Sequence, residues 1–207
     1  LLNNLKNGEV EKILVDMRLG ENLSINDYNV NGSIKEVNIK VLNDLLIQDV
    51  NFNFISDKNL TLINSFNAKY NDILISAGSL SLKKDKQIDI NGQFKSQFDL
   101  RENGINKLFS RPNLFFLEKN KVNIKGSLLN NFTLKINENF KLVDYDYKSR
   151  GNISESQIIF KDDFNSNIIK TPIKKFSISN TNLEINLNKR ENNLLMFDGL
   201  YSLGKSE

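Results

Sequence analysis

The chain has 207 residues, with 28 Lys and Arg against 25 Asp and Glu, and it contains no Cys, His or Trp. This composition excludes disulfides, thiolate zinc sites and catalysis by Cys or His. The net charge of +3 has no clustered basic stretch behind it, which argues against nucleic-acid binding.

The same composition gives no carboxylate, Lys, Tyr or Ser constellation for chemistry, so we expect no enzyme activity, cofactor or metal. The sequence contains no run of about 18 apolar residues, so it predicts no membrane-spanning helix. Because residue 1 is Leu and not Met, we expect residues 1–207 to be one sheet segment inside a longer protein.

In the first half of the chain, apolar and polar residues alternate with period two, which predicts β-strands. After residue 77 the apolar residues change parity, and the sequence Ala77-Gly78-Ser79 therefore predicts a β-bulge or tight bend. The predicted strands here cover residues 13–19, 37–41, 50–54, 73–77 and 80–82.

The second half continues the alternation, with one exception. Asn103, Pro112 and the three-to-four-residue spacing of its apolar residues predict a short helical insertion over 103–119. The short polar loops elsewhere favour an antiparallel meander of about eleven strands. The strands predicted in this half cover residues 88–100, 122–136, 140–147, 153–160, 176–187 and 195–203.

A phrase of the form apolar-x-apolar-x-Gly-x-apolar recurs five times with some latitude, the copies at Gly151 and Gly199 being looser. In each copy the glycine has the parity of the apolar residues, where a missing side chain permits a bend or a close backbone approach. We predict a sheet bent towards its apolar side, although ordinary strand glycines beside bulges would give the same spacing. The five glycines are Gly32, Gly92, Gly126, Gly151 and Gly199.

An apolar sheet face must be buried against something. Closure into a sandwich or barrel with a dry core is the commoner solution. The long strands and repeated glycines shift some weight towards an open trough that a guest molecule occupies, without reversing that preference. Together with the family resemblance given next, they lead us to predict a mainly all-β fold, in which a long curved antiparallel meander forms an open groove.

Four stretches between Gly32 and Phe94 support a family resemblance: GSIKEVNIKV from Gly32, LLIQDV from Leu45, AKYNDILISAGSL from Ala68 and IDINGQF from Ile88. In these stretches a small residue and an aromatic residue precede an apolar pair, and a glycine follows. They resemble strands of the AsmA-like proteins of the bacterial envelope, the group that includes TamB and YhdP.

The resemblance implies a β-groove that spans the periplasm and shields phospholipid acyl chains between the inner and outer membranes. It implies an inner-membrane anchor outside this chain, and an outer-membrane partner protein that it does not identify. From the residues alone, the alternative to a lipid-carrying groove is a structural or adhesin-like β-domain that binds no lipid. The same side chains could instead pack in an ordinary hydrophobic core. The residues predicted to line the groove are Ile73, Ile75, Leu80, Leu82, Ile88, Ile90, Phe94 and Phe98.

Overall fold

The computed structural model describes residues 5–41, 45–101, 120–139, 141–165, 171–190 and 193–205. A 3₁₀ turn at Glu21–Leu23 is the one helical element among them. The strands are β1 (Leu5–Lys6), β2 (Glu9–Leu19), β3 (Ile25–Val41), β4 (Leu45–Ser56), β5 (Leu60–Tyr70), β6 (Ile73–Lys84), β7 (Ile88–Leu100), β8 (Lys121–Ile136), β9 (Leu142–Phe164), β10 (Ile173–Asn188) and β11 (Leu194–Lys205).

All eleven strands belong to one sheet, in which β3 to β11 follow one another in chain order. Both β1 and β2 pair with β3, where Leu5 lies opposite Ile39 and Glu9 opposite Lys35. They therefore form a single edge strand, interrupted where Gly8 takes a φ of 127°. The sheet is ten strands wide, and the predicted antiparallel meander is confirmed.

The sheet is a single open layer. Within the described residues, all extensive contacts between strands join hydrogen-bonded neighbours, so β2 and β11 do not meet and no second sheet faces the first. The chain exposes 15,040 Å², whereas a compact protein of its mass exposes about 9,900 Å². The predicted open sheet is therefore confirmed, and the described strands form neither a closed sandwich nor a barrel.

Several strands differ from the sequence prediction. Strand β1 was not predicted, β3 begins at Ile25 and not at residue 37, and the predicted runs 73–77 and 80–82 form one strand, β6. Residues 140–147 and 153–160 were expected as two strands, but β9 is continuous over 23 residues, or about 75 Å. Strand β5 was not predicted because Ser65 has a φ of 56° and shifts the register between Ile63 and Phe66, which breaks the alternation. The predicted helical insertion at 103–119 lies outside the described residues.

Bulges occur in four consecutive strands, β3 to β6. Glu36, Asp49, Ser65 and Ala77 each have a φ between 51° and 56°, and each lies at a register shift. The bulge predicted at Ala77 is thus confirmed. A bulge bends its strand and increases the local twist, so this half of the sheet has a built-in source of curvature.

The recurring glycines lie where there is no space for a side chain. A Cβ atom on Gly32 would lie 2.6 Å from the Lys12 carbonyl oxygen, and one on Gly126 would lie 2.6 Å from the Asn152 carbonyl oxygen. On Gly151 it would overlap the Ser127 carbonyl oxygen, and on Gly199 the Thr181 hydroxyl. The close approach is therefore present, and the role of these glycines in bending the sheet stays a prediction.

We expect Gly151→Ala to lower the free energy of unfolding by about 1–3 kcal/mol, because backbone atoms cannot move aside as a side chain can. Gly204→Ala is the control: its Cβ would lie 3.1 Å from Lys175 Cβ, so the neighbouring strand needs to move by only a few tenths of an ångström. Urea denaturation of both variants measures the difference. Equal stability of the two would contradict this account of the glycine.

Candidate functional site

The strand register defines two chemically different faces of the sheet. Residues directly opposite each other in an antiparallel pair project to the same side. In β7 the even-numbered residues from Ile88 to Leu100 lie opposite even-numbered residues of β8. We call their side of the sheet the apolar face and the other side the polar face. Neither strand has a charged residue on the apolar face.

All eight residues predicted to line the groove lie on the apolar face. Ile73 is opposite Phe98, Leu80 is opposite Gly92, and Leu82 is opposite Ile90. The bulge at Ala77 makes this possible, since it returns Leu80 to the face of Ile75 after the change in parity. The eight side chains are half-buried. Their contact with a lipid stays a prediction.

The apolar face extends far beyond the two strands predicted to line it. Following opposite residues outward from Gly92 gives one row across nine strands in which no residue is charged. Apolar and polar residues also alternate in the sequences of β3, β8 and β10. From this alternation, further residues of the row could have been predicted. The row is Ile13, Gly32, Phe54, Ile63, Leu80, Gly92, Phe132, Tyr147 and Leu187.

Burial follows the same division. In β7 the even-numbered residues are buried or half-buried, with Ser96 at 7% exposure, whereas Asn91, Gln93, Lys95 and Gln97 are exposed. No second layer of described residues lies over the apolar face.

Aromatic rings cover several glycines of the apolar face. Phe54 lies opposite Gly32, Phe66 opposite Gly78, Phe132 opposite Gly92 and Phe98 opposite Gly126. In each pair a ring atom occupies the space that a Cβ on the glycine would need. The rings therefore shield backbone that a side chain would otherwise cover, and they keep the surface apolar.

One polar cluster interrupts this face, centred on Asn130. Tyr147 Oη donates to Asn130 Oδ1 at 2.8 Å, and Ser149 Oγ donates to the same oxygen at 2.9 Å. Asn130 Nδ2 donates to Ser96 Oγ at 3.0 Å and to the Leu128 carbonyl at 3.2 Å. No buried polar side-chain atom in the described residues lacks a partner. We conclude that the cluster joins β7, β8 and β9 through satisfied hydrogen bonds and so supports their register.

We predict that Asn130→Leu lowers the free energy of unfolding by about 1–3 kcal/mol, because the Tyr147 and Ser149 hydroxyls lose their common acceptor. Asn131→Leu makes the same substitution at an exposed position of the polar face. Thermal or urea denaturation compares the two. If Asn130→Leu is as stable as Asn131→Leu, the cluster does not contribute in this way.

Charged pairs lie on the polar face. Lys35 Nζ is 2.6 Å from Glu11 Oε1. This hydrogen bond lowers the pKa of Glu11 and raises the pKa of Lys35. In the β4–β5 turn, the backbone N–H groups of Asn59 and Leu60 donate to Asp57 and lower its pKa. The side chains of Lys35 and Glu11 are about half exposed and Asp57 is half-buried, and none of the three provides an acid or base on the apolar face.

Comparison with protein-family models, with curated proteins and with solved structures finds no match to this chain. Among the described residues, no helix has the length and apolar character needed to cross a membrane. The same residues contain no group of three or more acidic side chains placed to hold a metal ion.

Proposed function

We propose that the apolar face is a lipid-binding groove, and that the chain is a non-enzymatic segment of an AsmA-like bridge which carries phospholipid between inner and outer membranes. One observation supports this most directly: the row of uncharged residues that crosses nine strands of an open, single-layer sheet. A surface of this kind has acyl chains as its natural ligand because it offers apolar area without directional polar groups.

The energetics favour binding without a fixed site. Each methylene transferred from water contributes about 0.8 kcal/mol, so about 15 buried methylenes contribute roughly 12 kcal/mol before the costs of association. Because apolar contacts are non-directional, a chain that moves by one strand exchanges one set of contacts for an equivalent set. The groove therefore suits movement along the sheet better than capture at one point.

The dimensions also agree with an acyl chain. Nine adjacent strands span about 38 Å, whereas one leaflet of a bilayer core is about 15 Å thick. The row is thus more than twice as long as the hydrocarbon part of one lipid. Biological placement follows from the resemblance: we propose a periplasmic position, an inner-membrane anchor in a segment outside this chain, and a role in outer-membrane biogenesis.

We expect Ile90→Asp to reduce the amount of bound phospholipid at least tenfold, because a carboxylate in contact with hydrocarbon costs about 3 kcal/mol. Asn91→Asp is the matched control, since it places the same carboxylate one residue away on the polar face. The measurement is phospholipid per protein by mass spectrometry, after incubation with phosphatidylethanolamine vesicles and removal of the vesicles.

Far-UV circular dichroism establishes that each variant keeps its strands. The proposal is wrong if the folded wild-type chain binds no phospholipid, or if Ile90→Asp and Asn91→Asp lose lipid to the same extent. An adhesin-like or scaffold domain would give the first of these results.

A further inference from the structure

One end of the apolar face, over β4, β5 and β6, carries polar groups. Ser56 lies opposite Thr61, and Thr61 lies opposite Leu82, so both hydroxyls are on the apolar face. Ser56 Oγ and Thr61 Oγ1 are 2.8 Å apart and share one hydrogen bond. Because each hydroxyl has one hydrogen, the second hydrogen of the pair can donate to a ligand.

Lys84 adds a positive charge at the same end. It lies opposite Ile88, two residues beyond Leu82, and therefore on the apolar face. It is diagonal to Thr61, a spacing of about 7–8 Å that a long side chain can bridge. The Lys84 backbone N–H donates to the Asn59 carbonyl oxygen at 2.7 Å, which joins the β4–β5 turn to this end of β6. An ammonium group and two hydroxyls thus lie together where the apolar face meets water.

The two faces differ in how charge is balanced at this end. On the polar face Lys83 lies opposite Asp89, and Asp89 lies opposite Lys135, so each cation has an acid on the neighbouring strand. On the apolar face Lys84 has the side chain of Ile88 opposite it. Lys84 is exposed and forms no ion pair with the described residues.

The two adjacent turns also carry charge. Lys58 lies in the β4–β5 turn and Lys86 in the β6–β7 turn, beside Asp57 and Asp85. The Asp57 carboxylate already accepts two backbone hydrogen bonds within its own turn. Together with Lys84, these residues give this end of the apolar face an excess of positive charge, which favours an anionic ligand.

Between the ends of β5 and β6 the face is apolar over a length that suits an acyl chain. From Leu82 to Ile73, β6 extends about 30 Å, whereas one leaflet of a bilayer core is about 15 Å thick. The turn at the far end consists of Asn71 and Asp72, which include an acid and no cation. A phospholipid therefore fits best with its phosphate near Lys84 and its acyl chains directed towards Ile73.

We propose that Ser56, Thr61 and Lys84 bind the phosphate of a phospholipid headgroup, while its acyl chains lie on the apolar face along β5 and β6. All three side chains are donors, and a phosphate oxygen accepts charge-assisted hydrogen bonds. This inference rests on the proposed lipid groove and gives the lipid an orientation. Because an exposed ion pair contributes little, the contact orients the lipid and still permits it to move along the sheet.

Two lipids with the same acyl chains separate the phosphate contact from the hydrocarbon contact. The chain is incubated with vesicles of phosphatidylglycerol and uncharged digalactosyldiacylglycerol in equal amounts, and the bound lipids are counted by mass spectrometry after the vesicles are removed. We expect Lys84→Gln to lower the ratio of bound phosphatidylglycerol to galactolipid about threefold and to leave the bound galactolipid unchanged. Lys83→Gln is the matched control, since it removes the same charge from the polar face and should not change the ratio.

The outcomes distinguish this site from the groove itself. If the folded wild-type chain binds neither lipid, the lipid groove is wrong and the headgroup site with it. If it binds both lipids equally, or if Lys84→Gln and Lys83→Gln change the ratio to the same extent, only the headgroup site is wrong.

The orientation has its own test. Phosphatidylethanolamine with a diazirine attached to its headgroup is cross-linked to the chain, and the modified peptides are mapped by mass spectrometry. We expect attachment in the turns at 57–59 and 85–87, with at least fivefold less at Asn71 and Asp72. Equal attachment at both ends of β5 and β6, or attachment mainly at Asn71 and Asp72, would overturn the proposed orientation.

Discussion

The structure depends on one constraint: a single sheet has two faces, and this chain makes only one of them polar. On the other face, uncharged residues run from Ile13 in β2 to Leu187 in β10. Ordinary domains bury such a face against a second layer. The described part of the chain supplies no such layer.

The sheet must therefore hold its shape largely without a packed core. Nine apolar residues are buried among those described, which is few for a chain of this size. Contacts between neighbouring strands stabilise the sheet in place of a large core. Rings such as Phe132 shield the glycine opposite, and Asn130 joins three strands through hydrogen bonds. Such contacts act along the sheet, so they leave the apolar face open.

Period-two alternation was sufficient to predict the fold class and the meander, because each strand has only one apolar face and needs no long-range information. It failed where the backbone departs from that period. The bulge at Ser65 concealed β5, the polar residues between Tyr147 and Ile153 made β9 resemble two strands, and the change of parity after Ala77 divided β6. Because β1 was also missed, the two missed strands and the two divided ones cancel in the strand count. The eight lining residues were placed on one face, but Asn130 was not foreseen, since its partners lie on other strands.

The central claim is that hydrocarbon contacts one face of the sheet and not the other. A phospholipid with a photoactivated diazirine in its acyl chain tests this when cross-linked peptides of β7 are mapped by mass spectrometry. Attachment at Ile88, Ile90 and Phe94, with little at Asn91 and Gln93, is the predicted result. Equal attachment on both faces, or none on a folded chain, would contradict the account.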